Sequence, residues 1–334
     1  MNRQGGVGGE DWHRSILFVL ISIVVIIATI VILLRSGLAK ARYELPRYPL
    51  YLVISELIYL VQLALVGVRL SIIFNKGVGH RISTPELIKI AAAQTFASLL
   101  VPGFYIGGEA VSIAYLTSNG LPTTRATEGI TLRYAIDTIT LASMALLLYL
   151  LNLVVIPYIA LVIASVLLIA YAVLFITIVS ARLGRYIEGF LRFLSSRINF
   201  MNRLIVINEN EAYGIKLSLK DYFILFLLSV LQWVLTGLNV TLILNALGIN
   251  ANLLTGIVIS ISYVVLTYIS VLPGSAGIGE LVNLYILDSL GLGNYYLAYD
   301  VWFRIITYVA PLIILMPIFL SVTRKITIIN RRNP

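Results

Sequence analysis

Long apolar runs separated by short polar ones extend along the whole chain. The first, Ser15–Leu34, is 20 residues long and carries no charge. That length matches one bilayer crossing and exceeds the apolar core of a signal peptide, although Ala39-Lys40-Ala41 imitates a cleavage site. It reads as a retained helix. Further crossings are predicted at Tyr48–Val68, Ala126–Leu151, Pro157–Ser180, Tyr222–Ala246 and Ala298–Val322. Two other apolar regions are interrupted. Pro85–Val101 is followed by the break Pro102–Gly108 and a short helix, Glu109–Ser118. Ala251–Leu272 is followed by the break Pro273–Gly279 and a short helix, Glu280–Leu290. At about 1.5 Å per residue each short helix covers only ~15–17 Å, half a bilayer. Both regions read as re-entrant hairpins.

The two breaks are copies of each other. Pro102-Gly103, four residues, Gly108-Glu109 returns at an offset of 171 as Pro273-Gly274, four residues, Gly279-Glu280. The match continues through Gly120/Gly291 and Leu121/Leu292 to Arg133/Arg304, with 10 of 32 positions identical. Paired Gly/Pro interruptions in two halves of a membrane chain point to a transporter's binding site.

Counting crossings gives the orientation of the halves. Two crossings return the chain to its starting side, so the first hairpin enters from there. The helices at 126–151 and 157–180 return it again, and the helix at 222–246 carries it across. The second hairpin therefore enters from the opposite side. The expected fold is all-α: a polytopic helical membrane protein of about six full crossings plus two re-entrant broken-helix hairpins in an inverted repeat. The expected organisation is a flexible tail (1–14), one membrane domain (15–322) and a basic tail (323–334). Within the membrane domain lie repeat 1 at about 48–151, a connector helix at 157–180, a basic interfacial segment at 181–221 and repeat 2 at about 222–322. Tyr186–Phe200 mixes arginines with large apolar residues and reads as a helix lying on lipid heads. The N-terminal side carries 16 basic residues against four on the other side, all four in the 35–47 loop. Basic loops stay inside, which predicts cytoplasmic N- and C-termini in a multi-pass protein of the plasma membrane.

Composition agrees. The chain is 60% hydrophobic and 12% charged, outside the range of a soluble globule. A net charge of +9 fits cytoplasmic loops against anionic lipid, and no compact basic domain is present to bind nucleic acid. There is no cysteine and only two separated histidines, His13 and His80, so no metal site or cofactor is expected. No catalytic nucleophile is recognisable; the spacing in Gly274-Ser275-Ala276-Gly277 is not that of a nucleophile elbow.

Arg133 and Arg304 each lie about eight residues inside a helix, roughly 12 Å deep, and approach from opposite faces. A charge there costs about 2.5–3.5 kcal/mol on insertion scales and normally faces a partner or a wet cavity. Two readings stand. The arginines hold an anionic head group, or they form buried salt bridges, Arg133 with Asp137 or Glu109 and Arg304 with Glu280 or Asp300. The breaks are equally double-sided. Gly103, Gly107, Gly108, Gly274, Gly277 and Gly279 let a ligand approach helix N-termini, or they make tight turns in which Glu109 and Glu280 neutralise their own helix ends. Glu56, alone in mid-helix, reads as a proton or cation site or as a partner for Lys89, and the pairing is the expected outcome.

These motifs resemble the lysylphosphatidylglycerol synthase transmembrane region, or flippase-like domain, family. The likeness rests on Val101-Pro102-Gly103 through Gly107-Gly108-Glu109, on Leu132-Arg133 with Asp137, and on Leu272-Pro273-Gly274 through Gly277-Ile278-Gly279-Glu280 with Arg304 beyond. It covers roughly residues 15–322. The chain departs from the pattern after the first Gly-Glu, where it has Ser112 and no nearby arginine. The resemblance implies movement of a charged lipid, a phospholipid or a polyprenyl-phosphate carrier, between leaflets. The substrate-binding set would be Gly103, Gly107, Gly108, Glu109, Arg133, Asp137, Gly274, Gly277, Gly279, Glu280 and Arg304. The aminoacyl-transferring domain of the full synthase is not in this sequence, so aminoacyl-lipid synthesis by this chain alone is not expected. Two alternatives remain: an integral membrane lipid-modifying enzyme using Glu109, Asp137 or Glu280 as acid or base, and a non-transporting partner of a glycosyltransferase or lipid-modifying enzyme.

Overall fold

The computed structural model describes residues 44–100, 106–151, 158–180, 214–268, 270 and 272–332, with isolated helical positions at Val24, Ile27, Ala28 and Val31. The N-terminal tail, the rest of the predicted Ser15–Leu34 crossing, Gly103 and the predicted Tyr186–Phe200 helix lie outside the described residues. The described residues form helices joined by short turns, without strands: α1 Leu50–Ile72, α2 Thr84–Leu100, α3 Ile106–Ser118, α4 Thr123–Leu150, α5 Tyr158–Val179, α6 Leu219–Ala246, α7 Leu253–Thr267, α8 Ile278–Ser289, α9 Tyr296–Arg304 and α10 Ala310–Arg332. A π-helical turn, Ile73–Val78, extends α1, and another, Ile305–Val309, joins α9 to α10. Five of these segments are long and apolar enough to cross a membrane: Leu50–Val78, Thr123–Leu150, Tyr158–Val179, Leu219–Ala246 and Gly293–Ile328. The protein is an all-α polytopic membrane protein. The last helix runs on past Val322 to Arg332.

Local chemistry sets the helix ends. Ser218 and Asp221 cap α6 reciprocally, each side chain taking the other's backbone N–H. Asn252 Oδ1 accepts the Thr255 N–H at 2.9 Å and starts α7. Helices α3 and α8 stop alike. Gly120 and Gly291 adopt φ of +89° and +73°, and the next residue's N–H returns to the carbonyl of Leu116 or Leu287.

Helices α1 and α6 pack side by side and run antiparallel. At one end Tyr48 N–H donates to Ala246 O at 3.0 Å, and at the other Lys76 Nζ meets Asp221 Oδ1 at 2.6 Å. Between them Ser55 Oγ donates to Asn239 Oδ1 at 3.2 Å. The crossings of α1 on α2 and of α6 on α7 are near copies. A Cβ placed on Gly67 would lie 2.7 Å from Ile88 Cα, and one on Gly237 would lie 2.7 Å from Ile257 Cα. Small residues let the backbones touch where lipid supplies no hydrophobic drive. Contacts between the halves are reciprocal: α2 packs on α10 of the other half, and α7 on α4.

The polar ends of the bundle sort cleanly. Lys76, Asp221, Glu86 and Lys325 meet at one end, where Arg125 also donates to Gly214 O. Arg47, Tyr48, Ala246 and Gly248 meet at the other.

Candidate functional site

The two halves enclose a cavity of about 630 Å³. This is within the ~300–1,000 Å³ usual for small-molecule sites. Its walls are apolar, with Leu63 and Val66 from α1, Leu141 from α4, Val240 from α6, Val264 from α7 and Phe303 from α9. Polar groups enter from both halves. The first contributes Gln62, Gln94, Glu109, Arg133, Tyr134 and Asp137; the second contributes Ser270, Gly274, Ser275, Arg304, Thr307 and Tyr308. Gln232 and Asn239 of α6 also line it, with serine, threonine and tyrosine side chains from both halves.

Asp137, on α4, organises the first half. Its Oδ2 accepts from Arg133 at 2.9 Å, one helical turn earlier. Its Oδ1 accepts from Arg69 of α1 and from Ser229 Oγ at 2.8 Å. The Trp233 indole N–H donates to its backbone carbonyl at 3.1 Å. Arg69 also donates to Gln232 Oε1 at 2.8 Å. The Arg133 guanidinium stacks 3.8 Å over the ring of Tyr134, and its Nε has no partner among the described residues. Behind it, Gln94 links Ser112 and Tyr134, accepting from the first at 2.7 Å and donating to the second at 2.5 Å. Glu109 reaches the cavity, with Oε2 unpartnered among the described residues.

The second half is closed on itself. Arg304 donates through Nε to Glu280 Oε1 at 2.7 Å and through a terminal nitrogen to the Gly274 carbonyl. The other Glu280 oxygen accepts the Gly277 N–H at 2.6 Å, capping α8. Glu280 is fully buried. Gly274 has φ +59°, and a Cβ there would sit 2.8 Å from the Tyr308 ring. A left-handed backbone with no room for a side chain admits glycine only. Ser275 follows at φ +56°, the one non-glycine residue with positive φ among the described residues. Strain of this kind clusters at functional sites.

Of the predicted site residues, Glu109, Arg133, Asp137, Gly274 and Arg304 line the cavity. The others support it from behind. Gly108 lets α3 lie against Gln94 O and Ser98 Oγ of α2, and Gly279 makes room for the Arg304 guanidinium and, at 2.7 Å, the Tyr263 hydroxyl. Gly107 opens α3, Gly277 and Glu280 hold the N-terminus of α8, and Gly103 is outside the described residues. The expected Glu56–Lys89 pair is absent. Lys89 is exposed, and both Glu56 oxygens are buried without a partner among the described residues. Lys89 lies on the outward side of α2, whose inward side packs Leu87 and Ile90.

Sequence reading missed Arg69 because it falls one residue beyond the predicted end of its span. It also missed Gln62 and Gln232. These two, like Gly67 and Gly237, repeat at an offset of 170 rather than 171. A repeat search allowing one deleted residue finds them.

The family described as the lysylphosphatidylglycerol synthase TM region matches residues 15–314. The chain belongs to this family. Its membrane lipid-related context agrees with an apolar-walled cavity inside a helical membrane protein. No curated protein matches the chain. Among the described residues no group of three or more histidine, aspartate or glutamate side chains is placed to hold a metal.

Proposed function

We propose that this chain moves a phosphate-bearing lipid, a phospholipid or a polyprenyl-phosphate carrier, between membrane leaflets. The observation that carries this reading is that Arg133 and Arg304 both open on one cavity whose walls are mostly apolar. Guanidinium binds phosphate bidentately, and an apolar wall tolerates the tail. The two arginines divide the work. Arg133, whose Nε has no partner among the described residues, is the head-group ligand, and Glu109 faces the same guanidinium. Arg304, engaged by Glu280 and Gly274, holds the second tip in place.

The antiparallel α1–α6 pair and the twin glycine crossings support an inverted repeat, with the α2–α3 and α7–α8 pairs as hairpins entering from opposite faces. On this reading residues 15–322 form one membrane unit in the plasma membrane. The end carrying Lys76 and Lys325 is cytoplasmic, by the excess of basic residues on that side, and the sequence count of crossings assigns both termini to the same side. Irregular backbone at membrane depth is tolerated where it lines a cavity, as Gly274 and Ser275 do.

The test is transfer of fluorescent lipid between leaflets of liposomes containing the purified protein. The wild type accelerates movement of an anionic phospholipid or a polyprenyl phosphate. Arg133→Ala abolishes it while the protein remains folded, and Arg133→Lys restores part of it. A normal rate in Arg133→Ala removes the head-group assignment. A wild type that moves neither lipid class removes the transport reading.

A further inference from the structure

A second polar cluster is enclosed by α8 and α9, apart from the cavity lining. Asn283, Tyr296, Tyr299 and Asp300 are each 0% exposed. Asn283 Nδ2 donates to Asp300 Oδ1 at 2.7 Å. That bond leaves one acceptor on each residue, Asp300 Oδ2 and Asn283 Oδ1, with no donor among the described residues. The hydroxyls of Tyr296 and Tyr299 are also unpartnered there.

The charges do not balance either. The charged groups facing Asp300 are Arg304, on its own helix, and Glu280, on α8. Arg304 is already paired with Glu280. Tyr296, Tyr299 and, from α7, Tyr263 are the neighbouring phenols. From α1 and α6 the cluster meets Leu52, Ile243 and Leu244, which are apolar. Two buried carboxylates against one guanidinium leave one negative charge. A buried carboxylate without a counter-charge is too costly to keep. One positive charge must come from outside the protein.

We propose that Asp300 and Asn283 form a binding site for one monovalent cation, a proton or Na⁺, seated on Asp300 Oδ2 beside Asn283 Oδ1. Paired bare acceptors suit either source: a proton neutralises the carboxylate, and Na⁺ takes carboxylate, amide and hydroxyl oxygens as ligands. The site communicates with the cavity through Arg304. When the cation leaves, ionised Asp300 competes with Glu280 for that guanidinium and loosens its hold on the Gly274 carbonyl. The site stands without the lipid-transport reading. With that reading, it is where an ion gradient enters the cycle, as ion sites do in inverted-repeat transporters.

The test is thermal unfolding of purified protein in detergent, with no lipid moved, so its failure and failure of the transport reading are separate results. Wild type, Asp300→Asn and Asn283→Ala are titrated with Na⁺ at constant ionic strength against choline, and separately with pH in choline alone. A wild-type Tm that rises with Na⁺ identifies Na⁺; one that rises as pH falls identifies the proton. Asp300→Asn, permanently neutral, loses that dependence. Asn283→Ala keeps the carboxylate and shifts the midpoint of the same titration by about tenfold, the scale of one lost interaction with a charge. The proposal is overturned if wild type is indifferent to both titrations or if Asp300→Asn follows it in parallel. It is equally overturned if the midpoint of Asn283→Ala is unchanged, which decides the matter should Asp300→Asn fail to fold.

Discussion

Arg69 on α1 and Arg133 on α4 are held by the two oxygens of one carboxylate, that of Asp137. The arginine side chains are 1% and 7% exposed, so this acid bridges two nearly dry cations, of which Arg133 also faces Glu109. Asp137→Asn therefore strands Arg69 and leaves Arg133 with Glu109 alone. Breaking a buried pair by removing one partner costs about 3–5 kcal/mol. The expected outcome is a large drop in Tm and loss of monodisperse protein. Arg69→Met is milder, because Arg133 and Ser229 still satisfy Asp137. Thermal unfolding of the two variants side by side checks the order.

Gly67→Ala and Gly237→Ala each drive a methyl group into the backbone of a neighbouring helix. Overpacking of this kind costs about 1–3 kcal/mol. Because the two crossings are near copies, the two losses should be equal within experimental error. Unequal Tm shifts would count against structural equivalence of the halves.

Gly274→Ala combines a left-handed backbone, costing roughly 1–2 kcal/mol for a side-chain-bearing residue, with a collision against Tyr308. The tip must move, and the Arg304 contact to the Gly274 carbonyl goes with it. The expected result is modest destabilisation with loss of lipid movement in the liposome assay. Unchanged lipid movement would show that the tip's position does not matter to transport.

Glu86 accepts from Lys325 and Tyr115 at one end of the bundle. The Lys325 hydrogen bond, followed by that from Tyr115, holds the Glu86 carboxyl below the ordinary glutamate value. A carboxylate whose folded pKa is lowered stabilises the fold above its unfolded pKa and loses that contribution as pH falls through the lowered value. The pair is partly exposed, so its worth is about 0–1 kcal/mol. The Tm difference between wild type and Glu86→Gln should be small and constant at neutral pH, and should close in acid. A difference that widens in acid would contradict the assignment.

Much of this arrangement was legible in the amino-acid order. Apolar runs predicted the spans, since every backbone polar group in lipid must be satisfied within a helix. The 171-residue offset marked Glu109, Arg133, Glu280 and Arg304 before any contact was known. The Arg304–Glu280 and Arg133–Asp137 bridges were among the readings left open, because charges at membrane depth need partners. Other features were invisible in the chain order. Arg69 reaches Asp137 from 68 positions away, and no local spacing announces such a contact. Nothing in the repeat said that Arg304 would be tied to Glu280 and the Gly274 carbonyl while Arg133 would be tied to Asp137. Duplication copies residue types but not their partners. Glu56 and Lys89 share a region of sequence but not a direction, because each helix's rotation is set by what it packs against.

Sequence alone therefore determined which segments are helices, where they break and which residues are duplicated, since these follow from hydropathy and backbone chemistry within a few turns. Tertiary structure alone decided which duplicated groups meet, which are left without partners and where the cavity lies. Those outcomes depend on how helices distant in sequence rotate and close against one another.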